Sequence, residues 1–129
     1  MTFPEDIRYS KEHEWVRVSG KTATLGITDY AQDQLGEIVF LELPNEGESF
    51  SRSHTLGVVE SVKSVSDIYP PLSGRIIEVN DPLPDSPETV NEDPYGEGWL
   101  LKLEISNSKE LEELMTAEQY QAYIKEESA

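Results

Sequence analysis

The 129-residue chain has no cysteine, and that absence removes disulfide scaffolding, thiolate catalysis and cysteine-ligated metals together. It fits a reducing compartment. Basic residues are also scarce: ten lysines and arginines stand against 26 aspartates and glutamates, for a net charge of −16. Such a chain repels a phosphate backbone and an anionic membrane, and suits partners with basic faces. No apolar run approaches the length of a membrane span. The opening Met1-Thr2-Phe3-Pro4-Glu5-Asp6 offers neither the basic region nor the apolar core of a secretion signal, and is too acidic for an organellar transit peptide. The expected location is a bacterial-type cytoplasm, or the mitochondrial matrix where a transit peptide has been removed.

Catalytic patterns are missing as well. There is no glycine-flanked serine of the hydrolase kind and no phosphate-cradling glycine loop. Carboxylate pairs abound, but at this net charge no single pair is informative. Only two histidines are present, His13 and His54. His13 lies between Glu12 and Glu14, and on a strand those neighbours would point to the opposite face, a poor geometry for a metal site. No metal is expected. His54, within Ser51-Arg52-Ser53-His54-Thr55, is expected to be exposed.

What is present reads as one mainly β domain over 1–129, with a core at about 9–106 and a helical segment at about 108–127. Trp15-Val16-Arg17-Val18 enters a turn at Ser19-Gly20-Lys21 and returns through Thr22 to Ile27, which predicts an antiparallel hairpin. Tyr30 to Leu35 predicts a short helix capped by Thr28 or Asp29 and stopped at Gly36, with Gln32 and Asp33 toward solvent. Gly36-Glu37-Ile38-Val39-Phe40-Leu41-Glu42-Leu43 is echoed by Gly74-Arg75-Ile76-Ile77-Glu78-Val79-Asn80. Each copy precedes a proline-bearing turn and then a strand opened by Gly57 or Gly98. A duplication of this kind implies two interlocked β units in a flattened barrel or sandwich.

Residues 81–98 carry four prolines and six acids with no base. They predict a stiff surface loop with one helical turn near Pro87-Glu88-Thr89-Val90. Two helices should come after it, Lys109 to Met115 capped by Asn107 or Ser108, and a second, capped by Thr116, through Lys125. Leu111, Leu114, Met115, Tyr120, Tyr123 and Ile124 recur at helical spacing and should face the body, and the acids after Glu104 should be solvated.

The stretch Val58 to Tyr69 reads as two strands with Lys63 at the crossing, Glu60 three residues before it and Asp67 four after. A lysine so placed is either a solvated turn residue or an attachment point read by another enzyme. With acids and no cation near it in sequence, it does not have the surroundings of a Schiff-base nucleophile.

Several stretches together resemble the H protein family of the glycine cleavage system. They are Lys11 to Val18, Gly26 to Gln32, Leu35 to Phe40, Glu42-Leu43-Pro44, Gly57-Val58-Val59-Glu60-Ser61-Val62-Lys63, Ser66-Asp67-Ile68-Tyr69, Pro71-Leu72-Ser73-Gly74, Glu78-Val79-Asn80 and Asn91 to Leu100. Glu48 to Thr55 departs from the family's usual wording. The resemblance implies a lipoyl-domain-like barrel-sandwich hybrid with a short internal helix and C-terminal helices. It implies lipoic acid amide-linked to Lys63, and a carrier rather than an enzyme. Its partners would be the glycine decarboxylase (P protein), the aminomethyltransferase (T protein), dihydrolipoamide dehydrogenase (L protein) and lipoyl-attaching enzymes. The chain would shuttle an aminomethyl group in glycine catabolism and one-carbon metabolism, as a monomer able to visit each partner. By the same resemblance Glu12, Glu14 and Asp67 would line a cleft for the loaded arm. An H-like relay of lipoyl groups to other proteins would use the same Lys63. A biotin carrier would place methionine beside the lysine, where Val62 and Ser64 stand.

Overall fold

The computed structural model describes residues 1–128. Among the described residues nine strands form two antiparallel sheets. The larger has the order β1 (Arg8–Tyr9), β2 (Glu14–Ser19), β3 (Thr22–Ile27), β9 (Leu101–Ile105), β8 (Gly74–Val79), β5 (Ser49–Phe50), and the smaller has the order β4 (Ile38–Glu42), β6 (Gly57–Ser61), β7 (Val65–Ile68). The mainly β class is as expected, realised as two separate ladders and not a closed barrel. Val16, Leu25, Ile76, Leu101 and Leu103 of the large sheet pack with Ile38, Leu41, Val59 and Ile68 of the small one in a single buried cluster.

The duplicated wording corresponds to duplicated pairing. β4 pairs β6 and β8 pairs β9, both antiparallel, and each pair slips register once, between Ile38 and Phe40 and between Ile76 and Glu78. The extra residue is Val39 in one copy and Ile77 in the other, the same position of the repeat. A bulge of this kind bends a strand and re-aims the residues after it. In β4 it leaves Ile38 and Leu41 buried while Val39 and Phe40 both face solvent.

Helix α1 (Asp29–Leu35) starts where Thr28 Oγ1 accepts the Ala31 N–H, and it ends at Gly36 with φ +81°. Asp33 is exposed, but Gln32 is half-buried, because its side chain bonds Asp29 and Asn91. Segment 81–98 is more than a surface loop. It forms a 3₁₀ turn at Leu83–Asp85 and helix α2 (Thr89–Glu92), and it buries Leu83 and Val90 in the core.

The expected helix from Lys109 is a 3₁₀ helix, Ser108–Glu113, capped by Asn107. Helix α3 (Ala117–Ser128) opens on a reciprocal cap: Thr116 Oγ1 accepts the Gln119 N–H while Gln119 Oε1 accepts the Thr116 N–H. Its Tyr120 stacks on Tyr9 at 4.6 Å, and Met115, Tyr123 and Ile124 pack beside them. The acids after Glu104 are not uniformly solvated. Glu110 is buried, receiving Ser73 N–H at 2.7 Å, Ser73 Oγ–H at 2.9 Å and Arg52 Nε at 3.0 Å. A buried carboxylate is tolerable when it is paired and hydrogen-bonded in this way.

Trp15 is wholly buried and its Nε1–H donates to the Pro94 carbonyl at 3.1 Å, tying β2 to segment 81–98. Its ring lies against Gly26, its cross-strand partner, where a Cβ would come within 2.6 Å of ring atoms. Gly26→Ala should therefore destabilise the fold by about 1–3 kcal/mol through overpacking. Urea denaturation is the check, and an unchanged midpoint would refute the packing account.

Candidate functional site

Lys63 stands at the tip of the β6–β7 hairpin in a turn without glycine and without positive φ. The turn is held by a side chain. Ser61 Oγ accepts the N–H groups of Lys63 at 3.2 Å and Ser64 at 3.1 Å, while Ser61 N–H donates to the Ser64 carbonyl at 2.8 Å. A serine hydroxyl can replace the backbone carbonyl of an ordinary turn in this manner. Lys63 is exposed, and among the described residues no carboxylate lies within 4.0 Å of its ammonium.

The tip rests on the segment after α1. Val62 N–H donates to the Glu37 carbonyl at 3.0 Å. The lysine stem lies over Gly36, where a Cβ would come 3.1 Å from Lys63 Cε. That segment is fixed in turn by Asn91 of α2. Its Nδ2 donates to the Gly36 carbonyl at 2.8 Å and to Gln32 Oε1 at 2.9 Å, and its Oδ1 accepts the Ile38 N–H at 2.9 Å. One amide thus joins the end of α1, the start of β4 and the acidic segment.

The three candidate acids occupy different environments. Glu14, at the start of β2, is 3% exposed. Ser10 Oγ–H donates to its Oε1 at 2.8 Å and Tyr69 N–H to its Oε2 at 3.2 Å, and Ser10 Oγ accepts the Glu14 N–H at 3.0 Å. Burial pushes the carboxyl up to about 7 against the pull of those two bonds, and the charge of Glu12 adds to the rise. Asp67 is exposed on β7, opposite Val58, and Glu12 is exposed in the turn before β2. No hydrogen bond among the described residues joins the three. Asp67 lies four residues from Lys63 along the strand, on the order of 13 Å of extended chain. Glu14 grips the backbone two residues further on. Asp67 and the Glu14–Tyr69 contact therefore lie down the hairpin from Lys63, and Glu12 lines a groove with Pro70 and Pro71 just past its end. An open groove of about 480 Å³ flanks Glu12, walled by Lys11, Arg52, Pro70, Pro71 and Met115.

His13 is not on a strand. It has φ +69° in the turn before β2, with Nδ1 2.8 Å from the Tyr120 hydroxyl and Nε2 3.5 Å from Glu127. It fastens α3 to the body, and no cluster of three metal-binding side chains occurs among the described residues. His54 is exposed, beside Ser51. Sequence reasoning missed Ser10, Gly36, Ser61 and Asn91 as parts of this site. Ser61, two residues before the turn lysine, carried a readable turn signal. Asn91, inside an acidic proline-rich segment, carried none.

Residues 7–127 match the family model described as Glycine cleavage H-protein. The chain is 53% identical over 127 residues to the glycine cleavage system H protein of Anaeromyxobacter sp. strain K, covering 98% of this chain and 99% of that one. To the H protein of Symbiobacterium thermophilum it is 57% identical over 123 residues, covering 95% and 96%. Among solved structures it is similar to the crystal structure of a glycine cleavage system H protein from Mycobacterium marinum. That match has a TM-score of 0.84 and 37% identity over 98% of this chain and 99% of that one. Among the described residues no helix is long and apolar enough to cross a membrane.

Glu14 also gives the site a pH signature. Its folded-state carboxyl is raised above the ordinary value of 4.5, so the folded chain holds a proton there that the unfolded chain releases. The stabilisation is present below about pH 4.5 and is lost as pH rises through about 7. Glu14→Gln abolishes this titration while keeping an acceptor for the Tyr69 N–H. Relative to the unsubstituted chain the variant should gain up to roughly 3 kcal/mol between pH 4.5 and 8. Urea unfolding of both proteins across that range measures the difference, and a pH-independent difference would rule out titration of Glu14.

Proposed function

The chain belongs to the glycine cleavage H-protein family, and from that premise we propose that it is a lipoyl carrier with Lys63 as its attachment point. The observation that supports this most is the tip itself: an exposed amine without an ion pair among the described residues, on a turn braced by Ser61, Glu37 and Gly36. An attaching enzyme needs such an amine, reachable and held in one place. When bound, the lipoyl group supplies a disulfide that takes up the aminomethyl unit of glycine and is restored by oxidation.

This chain's own residues do the rest. Glu14 clamps Tyr69 and so orients the lower half of the hairpin. Asp67 and Glu12 provide exposed negative charge suited to the protonated amine of the cargo, and the groove beside Glu12 is a place to limit its hydration. On this reading residues 1–129 act as one carrier domain without catalysis of their own, a monomer in the cytoplasm. The decarboxylase, the aminomethyltransferase, the dehydrogenase and a lipoyl-attaching enzyme meet it in turn.

Lys63→Arg retains charge but cannot form the amide. Coexpression with a lipoate ligase should leave this variant at its unmodified mass while the parent gains a lipoyl group, with melting temperature nearly unchanged, because an exposed tip lysine contributes little. A lipoyl mass on the variant would remove Lys63 from the site. Asp67→Ala should shorten the lifetime of the aminomethyl-loaded form, and an unaltered lifetime would take Asp67 out of the cleft.

A further inference from the structure

The outer face of the small sheet is chemically ordered in a way that its internal packing does not require. Register places Phe40, Glu60 and Val65 side by side in one row across β4, β6 and β7, and Glu42, Val58 and Asp67 in the next. In the row between, Leu41 and Val59 are buried while their β7 neighbour Ser66 is exposed. The outward rows therefore alternate apolar–acid–apolar and acid–apolar–acid. Phe40 is 47% exposed and Val65 63%, and Val39 at 52% and Val62 at 63% extend the apolar part toward the tip. Four of the six exposed large hydrophobic residues among those described are thus gathered on this sheet and its turn. Lys63 is the only base within residues 36–43 and 57–69.

We infer that this chequered face is a docking surface for a protein whose own face sets an apolar hollow for Phe40 and Val65 among arginines or lysines that meet Glu42 and Glu60. The inference rests on the carrier reading, and it commits to an enzyme that receives the Lys63 arm, with the glycine decarboxylase as the probe. Charge complementarity selects this occupant. A second copy of the chain would oppose carboxylate to carboxylate, and a nucleic acid or anionic lipid would be repelled outright. An exposed aromatic side chain bordered by charge is the kind of anchor such interfaces use, and the valines around Phe40 add apolar area to it. The bulge at Val39 has a consequence here, since without the extra residue Val39 and Phe40 could not both face outward.

The test titrates the intact lipoylated protein with glycine decarboxylase holoenzyme in a calorimeter at low and high salt, after mass measurement of Lys63 in every sample. Phe40→Ser combined with Val65→Ser should weaken binding about tenfold. Glu42→Lys, on the solvent side and independent of any apolar change, should weaken binding and flatten its dependence on salt. Circular dichroism melting verifies that both variants are folded. If both bind as the parent does at each salt concentration, the face is only a solvated surface and the proposal is overturned, while the carrier reading stands. If the parent carries no lipoyl group at Lys63, the carrier reading fails and takes the docking surface with it.

Discussion

The presentation of Lys63 depends on one amide. Asn91 uses its two donor hydrogens and its acceptor to hold Gly36, Gln32 and Ile38 in a fixed arrangement. Glu37, between the anchored residues, then offers its carbonyl to Val62. Gly36 at φ +81° presents a surface without Cβ to the lysine stem. A half-buried amide with this many partners is costly to move, because any displacement leaves several polar groups unpaired at once. The lysine is exposed to solvent, yet the ground beneath it is held by several hydrogen bonds at once. That combination suits a group another enzyme must find in one place.

The same dependence explains why segment 81–98 exists as ordered structure in so acidic a form. Its Leu83 and Val90 enter the core, Pro94 receives the Trp15 indole, and Asn91 braces the tip. The prolines limit the conformations available to the unfolded segment and so reduce the entropy lost on ordering it. The acids remain outside, where they add to a net charge that favours solubility.

Much of the architecture was legible in the sequence because strands, caps and turns obey local rules. The Trp15–Ile27 hairpin, an α1 cap at Thr28 or Asp29, the stop at Gly36 and the turn at Lys63 all come from residue type and spacing. The repeat starting at Gly36 and Gly74 was visible as wording, and it returned as shared pairing with shared bulges. What could not be read was long-range. Glu110 looked solvated because its partners Ser73 and Arg52 lie far away in sequence. Helical spacing over Lys109 to Met115 did not distinguish an α-helix from the tighter 3₁₀ form. His13 read as a strand residue, and its positive φ arises from a turn that Tyr120, over a hundred residues later, helps to hold. At the site, local pattern left Lys63 as either a solvated turn residue or an attachment point and the family resemblance chose between them, whereas the buried state of Glu14 depends on Ser10 and Tyr69 closing around it.

Amide formation at Lys63 would also change the electrostatics of the tip. The ammonium is the only positive charge on the small sheet and its turn, and acylation removes it. Before modification the tip carries opposite charges, and after it the sheet presents carboxylates alone beside its exposed valines and phenylalanine. An acidic face is drawn more strongly to a basic partner once its one cation is gone. Acylation at Lys63 would thereby leave the small sheet uniformly acidic between its apolar side chains. Glu14 is exempt from this change, being buried and bonded on both oxygens. It holds the hairpin's lower half through the Tyr69 N–H, at a distance from the tip.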